Sequence, residues 1–120
     1  MSMHPNTLLL CILTPDDLAR TTYRAILDEH NIDADDPELH IGDHHYLVDI
    51  VEDADEGLAD PQIDAPEGSI VVHGFLTYGY RKQCSWDDAA RRKEALELWA
   101  QGICRRHHCS YTISLSANYW

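Results

Sequence analysis

Apolar and polar positions fall into blocks that each favour one kind of element. Residues 7–13, TLLLCIL, form an unbroken apolar run that suits a strand buried on both faces. A helix start follows. Thr14 stands as the cap, Pro15 fits the first helical position, and Asp16 and Asp17 complement the positive end of the helix dipole. Leu18, Thr22, Tyr23, Ile26 and Leu27 recur on one helical face, which predicts an amphipathic helix to about His30. Pro37 and Gly42 mark its exit loop.

Residues 45–51, HYLVDIV, are rich in β-branched and aromatic side chains and predict a second strand, with Asp49 turned to a polar surrounding. Residues 52–68 hold two Pro, two Gly and seven carboxylates with no apolar periodicity, which predicts a long acidic loop. Strand character returns at residues 69–80, SIVVHGFLTYGY, where Gly74 and Gly79 read as bend or bulge positions. Ser85 then caps a second helix, Asp87 and Asp88 sit in its first turn, and Ala89, Leu96, Trp99, Ala100 and Ile103 make its apolar stripe. Arg105, Arg106, His107 and His108 suit its negative C-terminal end. Alternation in residues 111–115 predicts a last, half-buried strand.

The order β-α-β-β-α-β is that of the split β-α-β, or ferredoxin-like, α+β arrangement: two helices on one face of a four-stranded antiparallel sheet. The second and fourth strands would be its edges. A chain of 120 residues suits a single α/β domain covering residues 1–120. The longest apolar run falls well short of a bilayer span, and no basic flank precedes it to suggest a secretory leader, so a cytoplasmic location is expected, in the host cell if the gene is carried by a phage. In that compartment Cys11, Cys84, Cys104 and Cys109 are expected as thiols.

Charge changes the picture most. The chain carries a formal −12, yet residues 28–67 alone hold 15 Asp or Glu and no Lys or Arg. Residues 81–106 carry seven Lys or Arg against four carboxylates, so the charge is a dipole from a very acidic first edge to a mildly basic second helix. The carboxylates of Asp33, Asp35, Asp36, Glu38, Asp43, Asp49, Glu52, Asp53, Asp55, Glu56, Asp60 and Asp64 would form a stripe along one sheet edge. Such a stripe repels nucleic acid and lipid headgroups and attracts proteins that hold phosphate with Lys and Arg. Acidic edges also guard against strand-to-strand aggregation and aid solubility. Halophilic adaptation is a further explanation, since Asp outnumbers Glu, but it would spread acid over both helices, and the second helix is basic.

Specific chemistry is weakly encoded. Asp53, Asp55 and Gly57 begin to resemble a calcium loop, but the glycine stands where a third ligand belongs and no closing Glu follows. His40, His44, His45 and His73 invite a metal, and Cys104, His107, His108, Cys109 and Cys84 invite zinc, although no CxxC pair supports it. Buried cysteine and a histidine at a helix end have ordinary structural explanations, so no metal and no cofactor are expected. Cys84, near Arg81 and Lys82 at a helix start, is the sole candidate nucleophile, and no phosphate loop, nucleophile elbow or HExxH motif occurs. Of the aromatic residues 75–120, most are expected in the core, with Tyr119 and Trp120 docking back or presented to a partner.

The expected function is a non-enzymatic interaction protein that blocks a basic partner, a protein or a ribonucleoprotein complex, by nucleic-acid mimicry. A phage or mobile-element inhibitor of host defence, such as an anti-CRISPR protein, and an immunity protein against a basic nuclease both fit that description. The alternatives are a ferredoxin-like ligand- or metal-binding domain using the His and Cys residues, and a homodimeric enzyme subunit with a site built at its interface.

Overall fold

A computed structural model describes residues 3–15, 18–42, 44–51, 68–76 and 84–119. Its elements run β1 (Met3–Leu13), α1 (Ala19–Glu29), β2 (Glu38–Ile41), β3 (His44–Ile50), β4 (Ser69–Phe75), α2 (Trp86–His107) and β5 (Ser110–Tyr119). The strands form one five-stranded sheet in the order β2-β3-β4-β1-β5, antiparallel at every pairing. The fold is thus mixed α+β, with five strands where four were expected.

The added strand is β2. Glu38 to Ile41 pairs with Leu47 to His44, leaving a two-residue loop that starts at Gly42, whose φ of +62° is the left-handed conformation such hairpin turns require. Only Leu39 of β2 is buried. A four-residue strand with one core side chain gives too little alternation to stand out in a sequence. Its presence moves the strand carrying Asp49 from the edge of the sheet to the interior, while β5 is an edge as expected.

The strand β1 lies between β4 and β5 and organises the core. Leu8, Leu10 and Ile12, on one of its faces, have no exposed surface and meet Ile26 of α1 and Leu96, Ala100 and Ile103 of α2 in one cluster. Both helices therefore cover the same face. Burying each such side chain is worth about 1.5–3 kcal/mol, so this layer dominates the stabilisation. The helices divide the face between them: α2 packs on β1 and β5, and α1 on β3 and β4. On the opposite face Val71 and Cys11 are also buried, whereas Leu13, Leu47 and Phe75 are exposed.

The two helix starts differ. In α2 the Ser85 hydroxyl accepts from the Asp88 amide at 3.1 Å, Asp87 and Asp88 occupy the first turn, and Arg105, Arg106 and His107 the last. In α1 the cap is Leu18, with no side-chain hydrogen bond and no acidic residue in the first turn. Thr14 is thus not the cap; its buried hydroxyl has no partner among the described residues. The helix begins four residues later than the cap pattern implied, and Leu18 is exposed. The expected core aromatics are corrected too. Phe75 and Trp86 are exposed and Trp99 is half-buried, while the fully buried aromatic ring is that of Tyr46. Trp120 and residues 77–83, with Tyr78, Gly79 and Tyr80, lie outside the described residues, and so does the acidic loop of residues 52–67.

Candidate functional site

The described part of the acidic stripe begins where α1 ends. His30 caps that helix, the Ile32 amide donates to Leu27 O at 2.8 Å, and the chain turns through Asp33 to Asp36, with the Asp36 amide on Asp33 O at 3.1 Å. The Asp35 amide donates to Asp33 Oδ1 at 2.9 Å, which holds the carboxylates outward on a tight turn. Asp33, Asp35 and Asp36 are exposed, and among the described residues none of them pairs with a Lys or Arg. Asp49, on the sheet face away from the helices, is exposed as well and accepts from the Ile50 amide at 2.8 Å. Asp43, Glu52, Asp53, Asp55, Glu56, Asp60 and Asp64 lie outside the described residues.

Two acidic residues are matched. Glu29, at the end of α1, accepts from Arg106 at 2.9 Å and contacts His107 at 3.2 Å, so it is tied to α2. Burial pushes its carboxyl upward, but the hydrogen bonds and charges of Arg106 and His107 together outweigh this and hold it below its ordinary value. Glu38, half-buried on β2, pairs with His45 of β3. The basic residues Arg91, Lys93 and Arg105 belong to α2, over the β1 and β5 half of the sheet. The separation is partial, since α1, over β3 and β4, carries Arg20 and Arg24, and Arg92 of α2 lies over the Tyr46 ring of β3.

Of the metal candidates, the set around Cys104 does not converge. His107 turns to Glu29, Cys109 Sγ donates to His107 O at 3.4 Å, and Cys104 is buried among core side chains. Burial, with Cys109 nearby, pushes the Cys104 thiol up to about 11, and burial also raises Cys109, partly offset by a hydrogen bond with Thr22. Without a metal, both groups are therefore held as thiols at neutral pH. All four cysteines are free. Cys84 donates to Ser85 O at 3.4 Å and has no basic neighbour among its described hydrogen bonds.

Of the other candidate set, His40 and His45 do come together, joined by Glu38, which the sequence placed only in the acidic stripe. Glu38, His40 and His45 bring one ligand atom each to within 4.8 Å of one another. The β2–β3 register makes His40 and His45 direct cross-strand partners, and their ring centroids are 4.1 Å apart. His45 and Glu38 also line a shallow cavity of about 180 Å³ on the helix-free face, together with Leu47, His73 and Phe75. The legible signal was Gly42-Asp43: a two-residue turn there pairs residue 40 with residue 45 and puts residue 38 on the same face.

No helix among the described residues is long and apolar enough to cross a membrane. No protein-family model matches the chain, and neither a curated protein nor a solved structure matches it.

Proposed function

We propose that the chain is a non-enzymatic interaction protein whose acidic edge occupies the phosphate-holding surface of a basic protein or ribonucleoprotein complex, blocking it by charge mimicry. The observation that carries this is the state of Asp33, Asp35 and Asp36: three exposed carboxylates on one tight turn, paired with no Lys or Arg among the described residues, while Arg91, Lys93 and Arg105 belong to the helix over β1 and β5. An edge meant only to stay soluble gains little from segregating charge in this way, whereas a segregated field steers an oppositely charged surface into register. The acidic residues 52–67 follow β3 directly in sequence and extend the same run of charge. An inhibitor of host defence carried by a phage or mobile element, with anti-CRISPR proteins as one such class, and an immunity protein for a basic nuclease both act in this manner.

The fold is read here as a split β-α-β, or ferredoxin-like, sheet carrying an extra edge strand. Without β2, the remaining strands stand in the order second, third, first, fourth, with both helices on one face, and this order supports that reading.

The test is association rate against ionic strength with a basic nucleic-acid-binding partner captured from the native host. Asp35→Lys with Asp36→Lys should slow association about tenfold at low salt, and added salt should slow the parent steeply, because exposed charges are screened over about 8 Å at physiological ionic strength. Asp87→Lys with Asp88→Lys, at the start of α2, should leave association nearly unchanged. Equal association by the parent and the Asp35, Asp36 variant, or indifference to salt, means that the edge serves solubility alone.

A further inference from the structure

The β2–β3 hairpin carries a second kind of chemistry, independent of the partner-binding reading. The Val48 amide donates to Pro37 O at 3.1 Å, so residues 37 and 48 form a hydrogen-bonded pair. Alternation along an antiparallel ladder then makes 39 with 46 and 41 with 44 hydrogen-bonded pairs, and 38 with 47 and 40 with 45 non-hydrogen-bonded ones. Side chains of a non-hydrogen-bonded pair approach most closely, with Cβ atoms about 4.5–5.5 Å apart, which suits two imidazoles sharing one ion. Glu38, two residues before His40 and on the same face, adds a carboxylate that already meets His45 Nδ1.

From this geometry we infer that Glu38, His40 and His45 form a surface site for a borderline first-row divalent cation of the zinc, cobalt or nickel kind. Two imidazoles and one carboxylate are the donor set such ions favour, and a poor one for calcium or magnesium, which take oxygen ligands. Tetrahedral donors about 2.0–2.1 Å from an ion lie about 3.4 Å from each other. The three donor atoms already lie within 4.8 Å of one another, and both imidazoles are exposed, so side-chain rotation is the adjustment that this spacing asks for. The set adjoins the cavity that Leu47, His73 and Phe75 share with Glu38 and His45. A second cavity, of about 290 Å³, joins Glu38 and His40 to Asp33 and Asp36, whose unmatched charge raises the local concentration of cations. Bound there, the ion clips the edge strand β2 to its neighbour.

Cobalt reports both occupancy and ligand type, so Co²⁺ is the probe, titrated into the full chain with stoichiometry from equilibrium dialysis. One ion per chain is expected, without the near-ultraviolet charge-transfer bands that thiolate ligands produce. His40→Ala and His45→Ala should each weaken binding at least tenfold, and Glu38→Gln several-fold, while Cys104→Ser with Cys109→Ser leaves it unchanged. In the unaltered chain, the resonances of His40 and His45 should be the first broadened by the paramagnetic ion, and this measurement does not depend on any variant folding. Thiolate bands, binding unmoved by His40→Ala, broadening centred elsewhere, or no binding below millimolar Co²⁺ would each overturn the site.

Discussion

The Tyr46 ring lies in the space that a side chain at residue 74 would need. A Cβ placed on Gly74 would stand 2.6 Å from both Cδ1 and Cε1 of that ring, well inside van der Waals contact. The β3–β4 register continues to set the two residues opposite each other, one strand supplying the largest fully buried side chain and the other the missing one. Gly74 was read from the sequence as a bend. Its backbone needs no unusual conformation here, and the reason for glycine is the close approach of the ring over the strand.

Gly74→Ala should therefore destabilise the fold by about 1–3 kcal/mol, the usual cost of forcing extra volume into a packed core. In a Tyr46→Ala background, itself costing about 3–5 kcal/mol through the cavity it leaves, the same substitution should cost little. Urea unfolding of the four chains closes the cycle. A Gly74→Ala cost that is equal in both backgrounds would mean that the ring is not what excludes the side chain.

The two helix starts give a second comparison. Ser85→Ala removes a hydroxyl that accepts from the Asp88 amide and should cost about 1 kcal/mol. Thr14→Val, at the position that resembles a cap in sequence, removes a buried hydroxyl without a partner among the described residues and should be neutral or slightly stabilising, since the shape is kept. Denaturation midpoints of the two variants decide between them. A larger loss from Thr14→Val than from Ser85→Ala would mean that Thr14 holds the first helix after all.

The same contrast explains what the sequence could tell. The second helix was legible from cap to last turn because its signals are local: a serine, two aspartates and an apolar stripe, each interpretable within a few residues. The first cap misled because Thr14-Pro15-Asp16-Asp17 carries the same local pattern, while the chain leaving β1 does not enter the helix until Ala19. Strand β2 was hidden because its pairing, not its composition, makes it a strand; His40 and His45 were legible as metal candidates, but that they pair with each other and with Glu38, while His44 is not in the set, follows only from the hairpin register. Asp33, Asp35 and Asp36 were legible as exposed because no cation stands near them in sequence. Glu29, by contrast, is matched by Arg106 and His107 from 77 and 78 residues away, a pairing that no local pattern reveals.

That pairing has a pH signature. The carboxyl of Glu29 is held below its ordinary value of 4.5 in the folded chain, so the tie to α2 is fully present above that value and is lost as pH falls through the lower folded one. Glu29 and Arg106 are partly exposed, so the contribution is at most about 1 kcal/mol and shrinks with salt. Glu29→Gln should lower stability at pH 7 by up to this amount, and the gap should be smaller at pH 2.5, toward which the carboxyl takes up its proton. Urea unfolding of parent and variant at the two pH values measures it. A gap that is as large at pH 2.5 as at pH 7 would show that Glu29 acts through packing and not through its charge.

The unmatched carboxylates make a last prediction, about stability instead of binding. Asp33, Asp35 and Asp36 are exposed on one tight turn, where the fold holds like charges closer together than the unfolded chain does. Raising the salt from 0.01 M to 1 M shortens the screening length from about 30 Å to about 3 Å and should relieve that repulsion, so the folded state should gain stability. Salt also strengthens apolar burial, which calls for a control in which only the charge differs. Asp35→Asn with Asp36→Asn provides it, because both side chains are exposed and neither makes a described ion pair. The variant should be more stable than the parent at low salt by about 0.5 kcal/mol, and the two should converge in 1 M NaCl. Urea, being uncharged, is the denaturant that leaves the comparison clean. If the parent and the variant respond to salt alike, the turn carboxylates are not repelled by their neighbours, the local potential is weak, and a basic partner would have little field to follow toward this edge.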